Sequence, residues 1–131
     1  MDRRIGTIRE FKTRNFKVVV DALEEYDLDL SWDEDGETAR KLASGEYVAF
    51  VARVRVFLKG SEIGTDYLGG CIYESLGDFQ DHRACGRQNA EYAARGEAGR
   101  CGSYFHDMIR TAIADARATL AEQRKVYVRA A

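Results

Sequence analysis

Between positions 48 and 58 every even residue is apolar (Val48, Phe50, Ala52, Val54, Val56, Leu58), while Arg53 and Arg55 stand at odd positions. Strict period-2 alternation over such a length fits an extended strand with one face in a core and the other toward solvent. Lys59-Gly60-Ser61 follows as a turn, and residues 62–73 read as the returning arm of an antiparallel hairpin. A two-residue loop, whether Lys59-Gly60 or Gly60-Ser61, places Ile63, Tyr67, Cys71 and Tyr73 on the face of Val48 and Val54 and turns Asp66 outward. A three-residue loop would reverse each assignment, because the side-chain period is two.

The chain has no proline, so its helices and strands are uninterrupted from within and its turns fall to twelve glycines. Residues 16–23 (Phe-Lys-Val-Val-Val-Asp-Ala-Leu) are β-branched and alternating, which predicts a second strand with Phe16, Val18, Val20 and Ala22 on one face. Asp27-Leu28-Asp29-Leu30 allows a further short extended piece, and Asp33-Glu34-Asp35-Gly36 reads as a turn. Residues 37–44 suit a short helix with acid at its start and Gly45 as its stop. Residues 74–102 predict irregular structure with helical pieces near 76–82 and 88–95. Ser103 is a capping residue, and beyond it Phe105, Ile109, Ala112, Ile113, Ala116 and Leu120 recur at helical spacing. They predict a long helix over about 103–123 lying across the sheet. Val126-Tyr127-Val128 reads as a tail or an added edge strand, and in residues 1–14 Ile5, Ile8 and Phe11 fall three apart, a pattern open between a helical turn and a flexible basic arm.

These elements predict one α+β domain over residues 1–131, an antiparallel sheet of three to four strands covered by the long C-terminal helix, with short additional helices. At 131 residues the chain is long enough to bury a continuous core without staples, and 45% hydrophobic residues exclude a disordered one. No apolar run reaches the roughly 18 to 20 residues that span a bilayer, and Met1-Asp2-Arg3-Arg4 leads into no signal segment, so a cytoplasmic protein is expected. Three cysteines, an odd number, point to reduced thiols rather than a disulfide framework.

Charge is separated along the chain although the net is only -2. Residues 1–20 hold six basic and two acidic side chains. Nine carboxylates and no basic residue then follow: Asp21, Glu24, Glu25, Asp27, Asp29, Asp33, Glu34, Asp35 and Glu37. The alternative to function is a solvated face that keeps a small protein soluble. Against it, Tyr26, Leu28, Leu30 and Trp32 interleave with the acids, and apolar anchors ringed by charge are how a protein interface combines affinity with steering. The block, with Trp32, is therefore the candidate site for a basic protein partner. A surface offering carboxylates in place of phosphates competes for a nucleic-acid site on that partner. Direct nucleic-acid binding by Arg3, Arg4, Arg9, Lys12, Arg14 and Lys17 is not expected, since the adjacent acids cancel the long-range attraction it needs.

For metal chemistry, His82-x2-Cys85 and Cys101-x4-His106 offer two short-spaced thiolate and imidazole pairs suited to tetrahedral zinc. This zinc-stabilised module or small metal-dependent enzyme is the alternative to a binding protein. Ordinary packed thiols and histidines explain the same residues. The spacing does not support an EF-hand calcium loop, since placing Gly36 at its sixth position puts Ser31 at the first and Leu42 at the twelfth, which leaves a weak, nonspecific cation site as the alternative for these carboxylates. A Cys101-His106 nucleophile lacks an assignable orienting group and oxyanion donors. The glycines of Gly64-Thr65-Asp66-Tyr67-Leu68-Gly69-Gly70 match no phosphate-binding spacing and read as a bulge or a tightly packed helix. No catalytic residue and no cofactor is implied. A third expectation is a homodimer or assembly subunit built on an outward apolar strip of Val51, Phe57, Leu68 and Ile72.

In its small size, its Arg- and Ala-rich composition, the stretch Gly60-Ser61-Glu62-Ile63-Gly64-Thr65-Asp66-Tyr67-Leu68-Gly69-Gly70-Cys71-Ile72-Tyr73 and the later Tyr104-Phe105-His106-Asp107-Met108, the chain resembles uncharacterised accessory proteins of bacteriophages and other mobile elements. Among these are anti-CRISPR and other anti-defence inhibitors. The resemblance implies non-catalytic binding to a host effector and assigns no individual residue.

Overall fold

A computed structural model describes residues 3–81 and 104–130. In chain order the elements are β1 (Arg4–Lys12), β2 (Lys17–Leu23), α1 (Glu37–Ser44), β3 (Val48–Leu58), β4 (Ser61–Tyr73), α2 (Leu76–Asp81) and α3 (Tyr104–Ala130). The strands form one antiparallel sheet in the order β1-β2-β3-β4, and α3 lies across one face, giving the expected α+β architecture. Alternation puts Val18, Val20 and Ala22 of β2 and Phe50, Ala52, Val54 and Val56 of β3 on the helix side, all 0% exposed. Phe105, Met108, Ala112 and Ala116 of α3 cover them. Phe79 of α2 closes one end of the core, edge-on to Phe50 (centroids 5.5 Å apart) and to Phe105 (6.1 Å).

Residues 4–12 of the expected basic arm are a strand. Its apolar residues fall three apart because the register with β2 slips between Thr7 and Arg9. The extra residue there is Ile8, so Ile8 and Phe11 both reach the core. The expected extended piece at 27–30 does not form. Asp29 Oδ1 accepts the Ser31 N–H at 2.9 Å, and such local side-chain bonds compete with strand pairing. Val126-Tyr127-Val128 continues α3 instead of making an edge strand, since extending a formed helix adds a hydrogen bond per residue without a new nucleus.

The hairpin turns at Lys59-Gly60, with Leu58 opposite Ser61, so the two-residue loop holds. Parity nevertheless reverses in mid-strand. Ile63 is an extra residue between Glu62 and Gly64, after which Val54 faces Asp66 and Arg53 faces Tyr67. Tyr67 therefore points away from the helix, 51% exposed, and Asp66 points toward it, the opposite of the expectation. A second extra residue at Gly69-Gly70, with Gly70 at φ 67°, restores the pairing, and Cys71 and Tyr73 sit opposite Phe50 and Val48 as expected.

Candidate functional site

The acidic segment leaves β2 at Leu23 and crosses to the free edge of β4, where Glu25 Oε2 accepts the Gly70 N–H at 2.8 Å. A second carboxylate, Asp115 of α3, accepts the Thr65 N–H at 3.2 Å. Two backbone donors on this edge are thus capped by acids, which blunts strand-on-strand addition. Trp32 stands in the segment 60% exposed, its indole N–H donating to the Asp29 carbonyl at 2.9 Å. The ring lines a hollow of about 350 Å³ together with Leu68, Ile72, Tyr73 and Tyr104. It also lines a second hollow, of about 360 Å³, with Asp33, Glu34, Asp35, Glu37 and Thr38.

The acids hold this loop in shape. Asp33 accepts the N–H groups of Thr38 (3.2 Å) and Ala39 (3.0 Å), capping α1 where Gly36 has no side chain to do so. Asp35 accepts the Glu37 N–H at 3.0 Å, and Glu37 pairs with Lys41 at 3.2 Å. The Ala39 N–H holds the Asp33 carboxyl below its ordinary range, and the Ser31 N–H does the same for Asp29, so both stay ionised. Among the described residues, the exposed side chains of Asp27 and Glu34 have no hydrogen-bond or ion-pair partner.

Asp21 does not belong to the surface. It is 0% exposed on the sheet face opposite α3, accepting from Arg53 Nη2 (3.0 Å), Arg55 Nη2 (2.7 Å) and Thr7 Oγ1 (3.1 Å). Period-2 alternation brought these arginines to it, one strand over. Glu24 is also engaged, by the Tyr26 hydroxyl at 2.6 Å and by Arg3 at 3.6 Å. Of the ten expected docking residues, five (Trp32, Asp33, Glu34, Asp35 and Glu37) line one hollow. Asp27 and Asp29 lie on the same loop, and Glu24 and Glu25 sit at its base.

The expected apolar strip is not continuous, because Leu68 follows the reversed parity into the core and Ile72 lines the Trp32 hollow. Of the zinc candidates, His82, Cys85 and Cys101 lie outside the described residues. His106 is exposed in the first turn of α3, its ring edge-on to Phe105 at 5.1 Å. Among the described residues no group of three metal-binding side chains is gathered, and no helix is long and apolar enough to cross a membrane. Burial raises the Asp66 carboxyl; the backbone hydrogen bond from Tyr67 opposes this, and the Asp115 charge adds to the rise.

Compared with known families, curated proteins and solved structures, the chain matches none.

Sequence reasoning missed Tyr104, Tyr73 and the Gly69-Gly70 wall of the Trp32 hollow. They lie far along the chain from residue 32, and only the paired glycines hinted at a close approach. Cys71 is no nucleophile in this setting: burial pushes its thiol up to about 11, and its S–H donates to the Leu68 carbonyl at 3.3 Å. Alkylation of native protein at pH 8 is expected to label Cys71 on the order of 100-fold more slowly than an exposed thiol. Peptide mass spectrometry reads this, and rapid native labelling would show that the site opens.

Proposed function

We propose that the chain is a non-catalytic inhibitor that docks a basic protein surface through the Trp32 loop and competes there for a nucleic-acid site. The observation that carries this reading is Trp32 itself, exposed, held in place, and lining both an acidic hollow and an apolar one. An immobilised aromatic costs little ordering entropy on binding, and an adjacent apolar hollow receives a partner side chain while the carboxylates steer a cationic one. Ionised Asp29 and Asp33, with unpaired Asp27 and Glu34, supply the charge. The likeness to phage accessory inhibitors points the same way.

Charge reversal at Asp33 or Asp35 would disturb the α1 cap, so the test uses Trp32→Ala and Glu34→Lys, both at exposed positions. Each is expected to keep the melting temperature of the parent. With a partner isolated from nuclease-treated bacterial lysate, Trp32→Ala is expected to weaken binding at least about 30-fold, the scale of an interface hot spot. Added nucleic acid should displace the partner from the parent protein. Undiminished affinity in both variants, or a partner indifferent to nucleic acid, ends the proposal.

A further inference from the structure

On the sheet face away from α3, a groove of about 650 Å³ runs beside β1 toward the hairpin turns. Six cations line it, Arg4, Lys12, Arg14, Lys17, Arg55 and Lys59, with Glu10 as its one acid. The two hairpins make this collection. Antiparallel pairing sets Arg4 opposite Leu23, Lys12 opposite Lys17 and Lys17 opposite Phe57, so the outward residues of three strands form one basic surface. Two of the cations are already partnered: Lys17 by Glu10 at 2.7 Å and Arg55 by Asp21. Lys12, Arg14 and Lys59 are exposed at the end of the sheet where both hairpins turn. Lys59 occupies a left-handed backbone position (φ 49°), followed by Gly60 at φ 84°, where asparagine or glycine would sit without strain.

We infer that this groove is a second binding site, for the phosphodiester backbone of single-stranded nucleic acid. The sequence argued against such binding because basic and acidic segments adjoin along the chain. The fold separates the acidic loop from the cations at the hairpin turns, and of the groove's cations Arg4, opposite Leu23, stands at the loop's base. Lys17 begins β2 at the groove's turn end and Leu23 ends it at the base of the acidic loop, about 20 Å away at strand rise. That is more than two screening lengths at physiological salt, so the local field at the turns is positive. The cations are spread out instead of converging. Arg4, opposite Leu23, and Lys12, opposite Lys17, mark the two ends of β1, about 20 Å apart, a layout for a row of phosphates and not for one. Phe57, half-buried in the groove wall with the Arg55 guanidinium 5.4 Å from its ring centre, offers bases an apolar surface. Tyr67 stands exposed on the same face. Aromatic and cationic side chains together on an open sheet fit a nucleic-acid strand better than an acidic peptide, which has no bases to stack.

The test is the fluorescence anisotropy of a short labelled oligothymidylate with the full-length protein at low salt, repeated at rising salt. Micromolar affinity is expected, falling as salt rises. Lys12→Glu/Arg14→Glu/Lys59→Glu should weaken it at least tenfold and flatten the salt slope by about two. The charge-neutral glutamine triple variant, which places no new acids at the turns, should weaken it less and in the same direction. Phe57→Leu should weaken the oligonucleotide several-fold while leaving inorganic polyphosphate binding unchanged. At physiological salt, Lys125→Glu on α3 and Glu34→Lys in the acidic loop should alter neither, which separates this site from the Trp32 surface. Absence of binding at low salt, equal loss in the Lys125 control, or tighter binding of polyglutamate than of the oligonucleotide overturns the inference.

Discussion

Replacing Asp21 by Asn is expected to destabilise the protein by about 3 kcal/mol, a loss read from urea unfolding at pH 7. Asp21 is 0% exposed, while the Arg53 and Arg55 side chains that reach it are 15% and 26% exposed. Removing the charge leaves two partly buried guanidinium groups facing each other across a neutral amide. Their Nε atoms already lack hydrogen-bond partners, so little remains to absorb the change. Burial alone would raise the Asp21 carboxyl. The hydrogen bonds from Arg53, Thr7 and Arg55 outweigh it and hold the group below its ordinary value of 3.8. A lowered native value means that the contribution is fully present above pH 3.8 and fades as pH falls through the native value. The parent should therefore lose stability below pH 3.8, and Asp21→Asn should lose less over the same range. Replacing Asp21, Arg53 and Arg55 together by apolar residues is expected to recover much of the loss, because the cost lies in the unpaired charges. A single variant as stable as the parent would show that the triad contributes nothing.

Gly64→Ala is expected to cost about 3 kcal/mol, or roughly 10 °C in melting temperature. A Cβ at position 64 would overlap the Ala112 carbonyl oxygen and lie 2.8 Å from the Ala116 amide nitrogen, both backbone atoms of α3 that no side-chain rotation can move. Ala116→Gly in the same chain removes the Cβ that would lie 2.9 Å away but not the carbonyl, so rescue should be partial. Gly60→Ala serves as the control. It meets nothing within 4 Å and carries only the smaller penalty of a left-handed position. Full stability in Gly64→Ala would mean that α3 does not sit this close to β4.

The local elements that carry strong periodicity were legible in the sequence. The strand at 48–58 and the helix at 37–44 emerge with the same bounds in the structure, because each has its pattern and stop signals within its own residues. Ile8 and the outward turn of Tyr67 were not legible. A bulge inserts one residue without any change in composition, and every face assignment beyond it depends on where it falls. The acidic loop was legible as charge but not as geometry. Asp21 reads as one more acid of the block, and only the neighbouring strand shows that two arginines have taken it inside.

Sequence alone determined what each segment prefers: which residues alternate, where a helix begins, where like charges run together. Those preferences act over a few residues and follow from backbone geometry and side-chain polarity. The tertiary structure decided which segments meet. It separated the acids of Trp32's loop from the cations of the two hairpin turns, and it set Gly64 against the backbone of α3. Register, crossing and burial depend on contacts between residues far apart in the chain, and no local pattern encodes those distances.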